Sequence, residues 1–567
     1  MKKKYLKKEI ATLVVTSMVV GNMSMLYAYD NLNATDNNTN VEQQDTNQII
    51  TQSNGESDNN NISERNSDKN VESQNTNVEE KVVGQSTFVD ENGNINTVDV
   101  YDGTTGEEYN PYSRVVDTSY MVNFNCNKAT SSTIKYTDFY TGQEGYLFNG
   151  ITEQQKQEMV ADAAFLGMTD NDTKVKFMLS GVTGLVDASL VEIVPQGTYY
   201  ASNYEVNSNG QLWHYISTNV KAKGNTGTKN YIGIGPSYLT KNAEYYSYDG
   251  HYFYENYNVM INDYRNETRS NSVNPNNPYY SYYQYLPFRS KTNYTATELN
   301  TIINKKANSS SSKMNNIGES LIKYQNTYGV NALMVAAFAA QESGWGKSSI
   351  ALQKNNLFGI GAFDSDPFNR AHSFNSVDEC LKEFTSGLMS RGYLRPGYSN
   401  FRGGFYGDKA SGFSQYASDP YRGEKCAAIA RIMDRELASK DNNYYTIGIK
   451  DANLLSHAQV SVKKESNDQS STLYTTVANA PYAFIVRNKN TENGYYKIQS
   501  DSVLTSDRNA VSSVSEYDYD KNYGYVNSSS VRIVNQGNDI KEKVFPVITE
   551  EKVTNVTSKG YTVTCKI

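Results

Sequence analysis

Residues 332–343, ALMVAAFAAQES, are apolar at nearly every position up to Gln341. A helix with one apolar face lies on a surface. A helix that is apolar all round is stable only when other elements enclose it. Leu333, Val335, Ala336, Phe338, Ala339 and Ala340 therefore predict a central buried helix, and the chain must build a shell around it. Just upstream, Ile317, Leu321, Ile322 and Tyr324 share one helical face, and GEKCAAIARIMDREL (423–437) supplies a third helix. Residues 296–441 are expected to form one mainly helical block.

Elsewhere the period changes. Residues 83–295 show short alternating runs broken by Gly, Asn and Asp, the pattern of strands and turns. One internal repeat is visible. Residues 184–194 read GLVDASLVEIV and residues 524–534 read GYVNSSSVRIV, with six of eleven positions identical. Each is a strand, a polar turn and a final strand, and resembles the end of a bacterial SH3 domain. One β-module is expected within 83–195, its SH3-like part near 120–195, and a second at 452–537. Between them, 196–295 forms a Tyr-rich β-module with 13 tyrosines from Tyr245 to Tyr294. Two readings stay open for these rings: a surface that stacks on sugars, or a core built from Tyr in place of Leu and Val. The end of the chain, 545–567, reads as two strands and resembles the opening of an Ig-like, Bsp-like repeat. Too few residues follow to complete a sandwich, so a truncated or poorly ordered tail is expected.

The N-terminus has five lysines before an apolar run from Ile10 to Val20, then small and polar residues up to Ala28. This predicts a secretory signal peptide over 1–28, cleaved after Ala28, and no membrane attachment afterwards. Residues 29–82 are rich in Asn, Gln, Ser, Thr, Asp and Glu, and are expected to be a disordered spacer. Net charges of +4 over the first 29 residues and −8 over 30–81 leave −4 for the rest of a chain whose total is −8. A nearly balanced folded part lacks the basic field that nucleic-acid binding needs. Four cysteines, Cys126, Cys380, Cys426 and Cys565, are too few for a disulfide scaffold. Cys380 and Cys426 are within one block; two buried thiols are the favoured reading over a pair.

The chemistry centres on Glu342. It lies four residues after Phe338, at the C-terminal end of the apolar helix, followed by Gly344 and Gly346. Desolvation and the negative end of the helix dipole both disfavour a carboxylate there. An acid that keeps its proton near neutral pH is suited to protonating a glycosidic oxygen. The plainer reading is a Glu that caps its helix or pairs with Lys347.

ESGWGKS (342–348), NNLFGIGAFDSDPFNRAHSF (355–374), GYL (392–394) and QYASDPYRGEKCAAIARIM (415–433) resemble, in order and spacing, glycoside hydrolase family 73. These are bacterial endo-β-N-acetylglucosaminidases that cut peptidoglycan. SYDGHYFY (247–254) and YLPFRSKTNYT (285–295) are similar to stretches of clostridial members. The resemblance implies a multidomain protein with a mainly α, lysozyme-like catalytic domain at 296–441 flanked by small all-β, SH3-like modules. It implies a secreted, wall-associated enzyme acting on peptidoglycan glycan strands between N-acetylglucosamine and N-acetylmuramic acid. Glu342 matches the family's general acid. Tyr416 and Asp419 match its YATDP-like motif, although 417–418 here read Ala-Ser, and Tyr416 would hold a sugar or the transition-state charge. Asn355, Asn356, Phe358 and Gly359 match the turn that shapes the groove, where a purely structural role is the alternative; Asp419 and Tyr421 complete the expected substrate contacts.

An inverting enzyme needs a second carboxylate about 6.5–9.5 Å from the acid. Asp364, Asp366, Glu379, Glu383 and Asp408 are candidates. Glu379 falls near where the family often places a second Glu, but Ser376 and Glu379 also read as a helix capping box. The substrate's own N-acetyl group is a further alternative. Neither HExxH nor a Cys/His cluster at zinc spacing occurs, and no P-loop or GxGxxG supports a nucleotide, so no metal and no cofactor are expected. The competing functional class is a non-catalytic wall-binding protein or adhesin with a vestigial hydrolase domain.

Overall fold

The apolar helix Ala332–Ser343 is enclosed at every one of its twelve positions. Phe338 is the hub of an aromatic cluster, with ring centroids 5.0 Å from Phe413, 5.4 Å from Phe384 and 6.1 Å from Phe358. Each such ring, fully buried, stabilises the fold by about 1.5–3 kcal/mol. The shell around it comes from helices Ala296–Ala307, Gly318–Tyr328 and Arg422–Glu436 and from a wide, π-type helix, Glu383–Tyr393. Thr295 starts the first of these with a capping box closed by Glu298, a signal the sequence reading passed over.

This computed structural model describes residues 82–110, 119–129, 133–148, 162–169, 171–222, 227–362, 367–413, 419–450 and 458–538, and the backbone of 550–557 and 560–566. The expected signal peptide and all but the last residue of the expected spacer lie outside them, as do Asp364, Asp366 and Tyr416.

Two seven-stranded antiparallel sheets flank the helices. The first uses Tyr120–Asn123, Thr133–Asp138, Glu144–Phe148, Asp162–Thr169, Lys174–Leu179, Val182–Asp187 and Glu192–Pro195. The second uses Ile447–Lys450, Ser461–Lys463, Thr472–Thr475, Ala483–Glu492, Tyr495–Gln499, Tyr523–Asn527 and Val531–Asn535, so it begins before the expected 452. Counting strands along the chain within each sheet, the hydrogen-bonded order is 3-2-6-5-4-1-7 in both. The short repeat seen in the sequence is the sixth strand, a 3-10 turn and the seventh strand. Asp187 accepts from the Ser189 N–H in one copy and Asn527 from the Ser529 N–H in the other. The Asp-to-Asn change between the copies thus preserves the cap.

The region between them is a four-stranded sheet, ordered Thr228–Ile234, Gln211–Ile216, Asn203–Val206, Glu244–Tyr245, with helix Tyr257–Arg265. Ten of the thirteen tyrosines from Tyr245 to Tyr294 are buried and the other three are half-buried, which decides for the core reading over the sugar-stacking surface. Some of their hydroxyls find partners within the core: Tyr254 donates to Asp263 at 3.0 Å, and Tyr285 to Asp408 at 2.9 Å. The hairpin Val82–Val89/Ile95–Tyr101, grouped by sequence with the first module, is a separate two-stranded sheet docked on helix Arg422–Glu436. Lys425 Nζ reaches Thr87 Oγ1 at 3.2 Å and Arg435 reaches the Glu91 carbonyl at 2.6 Å. Cys126, Cys380 and Cys426 are buried free thiols, and burial pushes Cys380 and Cys426 up to about 12. Glu550–Thr557 and Gly560–Lys566 pair as a hairpin.

The second module is bolted to the helices through Asp501. Burial pushes its carboxyl up to about 6, against a hydrogen bond from Tyr482 and the charge of Arg289. A folded-state value above the unfolded one means that the stabilising form is the protonated one. Its contribution is complete below about pH 4 and is lost as pH rises through about 6, up to about 3 kcal/mol in all. Asp501→Asn should therefore be more stable than the wild type at pH 8 but not at pH 4, read from urea unfolding at both values. Parallel pH profiles for the two proteins would refute this.

Candidate functional site

Asn331 starts the apolar helix by accepting from the Met334 N–H, and Gly344, with φ of 57°, ends it in the left-handed conformation. The ESGWG segment then folds back tightly. Ser343 Oγ donates to the Ala339 carbonyl and accepts from the Gly346 N–H at 2.7 Å. Trp345 carries a φ of 60°, which costs a bulky residue roughly 1–2 kcal/mol, and its carbonyl accepts from Ser312 at 2.7 Å. At Gly346 any Cβ would come within 2.7 Å of the Met314 backbone nitrogen, so only glycine fits.

This frame holds Glu342 with its side chain 1% exposed, in an ion pair with Arg422, the first residue of helix Arg422–Glu436. The Arg422 guanidinium also lies 4.5 Å over the Phe338 ring. Glu342 is buried at the helix C-terminus as expected, but the expectation that nothing offsets those two effects is corrected by Arg422. A guanidinium in contact favours the ionised carboxylate and opposes both effects. The partner is Arg422, not Lys347.

Asp419 and Tyr421 sit at the start of the same helix. Asp419 accepts from the Tyr421 N–H at 2.9 Å and pairs with buried Lys425 at 3.0 Å. Tyr421 is buried, edge-on to the His214 ring at 4.7 Å, and faces protein. Asn356 is buried and saturated: its carbonyl accepts from the Phe358 and Ile360 N–H groups, and its amide donates to the Ile360 and His372 carbonyls. It shapes the turn. Phe358 stacks on Phe384 at 3.8 Å, and Gly359 provides a φ of 64°. Asn356, Phe358 and Gly359 are therefore buried and organise this turn.

Glu379 is exposed. Its N–H donates to Ser376 Oγ at 3.1 Å and its carboxylate accepts from the Asn375 N–H at 2.8 Å, so it serves its own helix start. Asp408 is buried with Tyr285, with Ser411 at 2.8 Å, and with His251 at 3.4 Å.

The sequence reading missed Arg422 and a second charged cluster behind it. Glu424 contacts His214 Nδ1 at 2.9 Å, and also receives hydrogen bonds from Tyr204 at 3.2 Å and Asn230 at 3.3 Å. His214 stacks on Tyr204 at 4.0 Å. Ser180 of the first module donates to the Pro420 carbonyl at 2.7 Å. The available signal was Arg422, Glu424 and Lys425 within four residues at the head of an apolar helix, since charges carried into a core need partners.

Residues 318–435 match the family model Glucosaminidase, described as mannosyl-glycoprotein endo-beta-N-acetylglucosaminidase. The likeness to this family is confined to that segment of the chain. A protein of Streptococcus pneumoniae serotype 4 named "Putative endo-beta-N-acetylglucosaminidase" is 28% identical over 272 residues, covering 48% of this chain and 36% of the relative. The chain thus spans about a third of that relative's length. Protein bax of Escherichia coli is 39% identical over 75 residues, covering 12% of this chain and 26% of its own. Crystal structures of S. aureus autolysin E overlap 28% of this chain and 72–73% of theirs at 20–22% identity, with TM-scores of 0.21–0.22. One of these holds the disaccharide NAG-NAM and another the muropeptide NAM-L-ALA-D-iGLU.

Removing the cation leaves a buried carboxylate unpaired. Arg422→Met should lower stability by about 3–5 kcal/mol at neutral pH, and adding Glu342→Gln should recover most of it. Unfolding curves for the two single variants and the double variant measure the coupling; strictly additive losses would show that the pair does not carry this energy.

Proposed function

We propose that this protein is an exported peptidoglycan hydrolase, an endo-β-N-acetylglucosaminidase that cuts the glycan strand between N-acetylglucosamine and N-acetylmuramic acid and leaves N-acetylglucosamine at the new reducing end. The single observation that carries this reading is Glu342, fixed at the end of the enclosed helix inside the family-matched segment 318–435. The lysine-rich start followed by an apolar run supports export, and wall turnover or cell separation is the role proposed for it.

In this reading Glu342 is the general acid. Paired to Arg422 it is shielded, so the bond-breaking form requires the guanidinium to move aside and the carboxyl to carry a proton. The free carboxylic acid then protonates the glycosidic oxygen, and water adds at the sugar's anomeric carbon. Tyr416 is proposed to steady the transition-state charge. Glu379, held at its helix start, is the weaker choice for a base, which favours assistance from the substrate's N-acetyl group. The two seven-stranded modules are proposed to be SH3-like and to hold the wall polymer.

The shielding of Glu342 also favours a second reading, a wall-binding protein whose hydrolase domain no longer turns over. Purified 83–567 incubated with Gram-positive peptidoglycan, reduced with borohydride and examined by mass spectrometry, separates the two. Reduced N-acetylglucosamine termini are expected, falling at least about 100-fold in Glu342→Gln. Reduced N-acetylmuramic acid termini would make it a muramidase, and no new termini would leave the binding reading standing.

A further inference from the structure

The two seven-stranded modules share a strand order but not a surface. Their fourth, fifth and sixth strands can be compared position by position. In the first module Phe165 pairs with Phe177 and Gly167 with Lys176, so Leu166 bulges between them, and Met178 pairs with Thr183. In the second, Val486 pairs with Ile498 and Asn488 with Lys497, so Arg487 bulges between them, and Gln499 pairs with Tyr523. Leu166, Lys176 and Thr183 thus hold the places of Arg487, Lys497 and Tyr523. The turn after the fifth strand differs too. It is Ser180–Gly181 in the first module and residues 500–522 in the second, and the longer segment brings in Arg508.

These changes gather three cations around one ring. Arg508 lies 3.6 Å, Lys497 3.9 Å and Arg487 5.8 Å from the centre of Tyr523. All four side chains are partly exposed. Residues 452–537 hold eight Lys/Arg and eight Asp/Glu, so the cluster reflects segregation of charge and not an excess of it. The ring attracts each cation but neutralises none. Two carboxylates lie nearby: Glu465, half-exposed and 3.7 Å from Arg508, and Glu492, which accepts from Ser466 at 3.0 Å. They are outweighed, because burial and the charges of Arg487 and Arg508 hold the Lys497 ammonium below its ordinary value. In the first module Lys176 stands 3.7 Å over the Phe139 ring, and its charged neighbour is the carboxylate of Glu267.

The guanidinium groups are set in place by carbonyls, which fix them without cancelling their charge. Arg508 donates to the Tyr523 carbonyl at 3.3 Å and to that of Lys464, and Arg487 donates to that of Tyr519 at 3.2 Å. A planar carboxylate satisfies one such fork. A phosphate spreads its charge over oxygens pointing in several directions, and a chain of phosphates repeats that charge across a patch.

We propose that the Tyr523 patch of the second module binds a phosphodiester polymer, with Arg487, Lys497 and Arg508 on its phosphate groups. That the polymer belongs to a bacterial wall rests on the exported-hydrolase reading above. The first module, with Leu166 and Thr183 at the matching places, lacks this site.

Titration of the full-length protein with poly(glycerol phosphate), with glycerol 3-phosphate and with polyglutamate of matched charge tests it. The phosphate polymer should bind at least about tenfold tighter than either of the others. Arg487→Gln combined with Lys497→Gln should remove that preference, while Arg487→Lys combined with Lys497→Arg, which keeps the charge, should retain it. Lys176→Gln, at the matching place in the first module, should change nothing. Equal binding of polyglutamate, a preference that survives the first pair of substitutions, or its loss in both pairs alike overturns the proposal. Glycerol 3-phosphate binding as tightly as the polymer makes this a small-phosphate site and overturns the polymeric ligand. Polymer binding by a protein that does not cleave peptidoglycan sinks the hydrolase and leaves the patch. Cleavage without polymer binding sinks the patch and leaves the hydrolase.

Discussion

Arg289 is the interaction on which the arrangement of modules depends. Its side chain is wholly inside the protein, yet no carboxylate pairs with it among the described residues. It is solvated instead by fixed dipoles: the carbonyls of Asp501, Tyr328 and Gly329, the Ser390 hydroxyl, and the face of Tyr517 at 4.1 Å. These groups come from the C-terminal module, from the end of helix Gly318–Tyr328 and from the π-type helix. A charge taken out of water is tolerated only if polar groups answer most of its donors. The guanidinium therefore specifies where three parts of the chain must stop relative to one another, which an apolar interface of equal area does not.

The same principle governs the opposite side. Glu424 and Lys425 project from one turn of a helix, and each is met by a different element: His214, Tyr204 and Asn230 of the Tyr-rich sheet for the first, Thr87 of the N-terminal hairpin and Asp419 for the second. Buried polar seams of this kind add less to stability than to uniqueness of packing. They also make the modules structural members around Glu342. Modules that merely tethered the helical block would instead carry solvated side chains on the surfaces facing it.

Local signals in the chain were legible. The all-apolar run announced an enclosed helix, and the eleven-residue repeat pointed to a duplicated β-unit whose full extent, seven strands in one order, only the hydrogen bonding reveals. Ser376 caps its helix as read, accepting from the Glu379 N–H, while the Glu379 carboxylate reaches back to Asn375 and not to Ser376. What could not be read was pairing at long range. Glu342 and Arg422 are eighty residues apart, and His214 and Glu424 are 210 apart; nothing in periodicity or spacing links them. The tyrosines were ambiguous for a different reason: the ring that stacks on a sugar is the same ring that packs a small sheet, and only burial distinguishes them.

In each seven-stranded module the first and last strands lie side by side, with Tyr120 opposite Pro195 in one and Ile447 opposite Asn535 in the other. The chain therefore enters and leaves each module at neighbouring points. A unit with adjacent ends can be copied into a loop of another fold without prising its flanks apart. The duplication seen here is the kind such a cassette permits, and polar contacts, Ser180 to Pro420 in one copy and Arg289 to Asp501 in the other, join each to the helices.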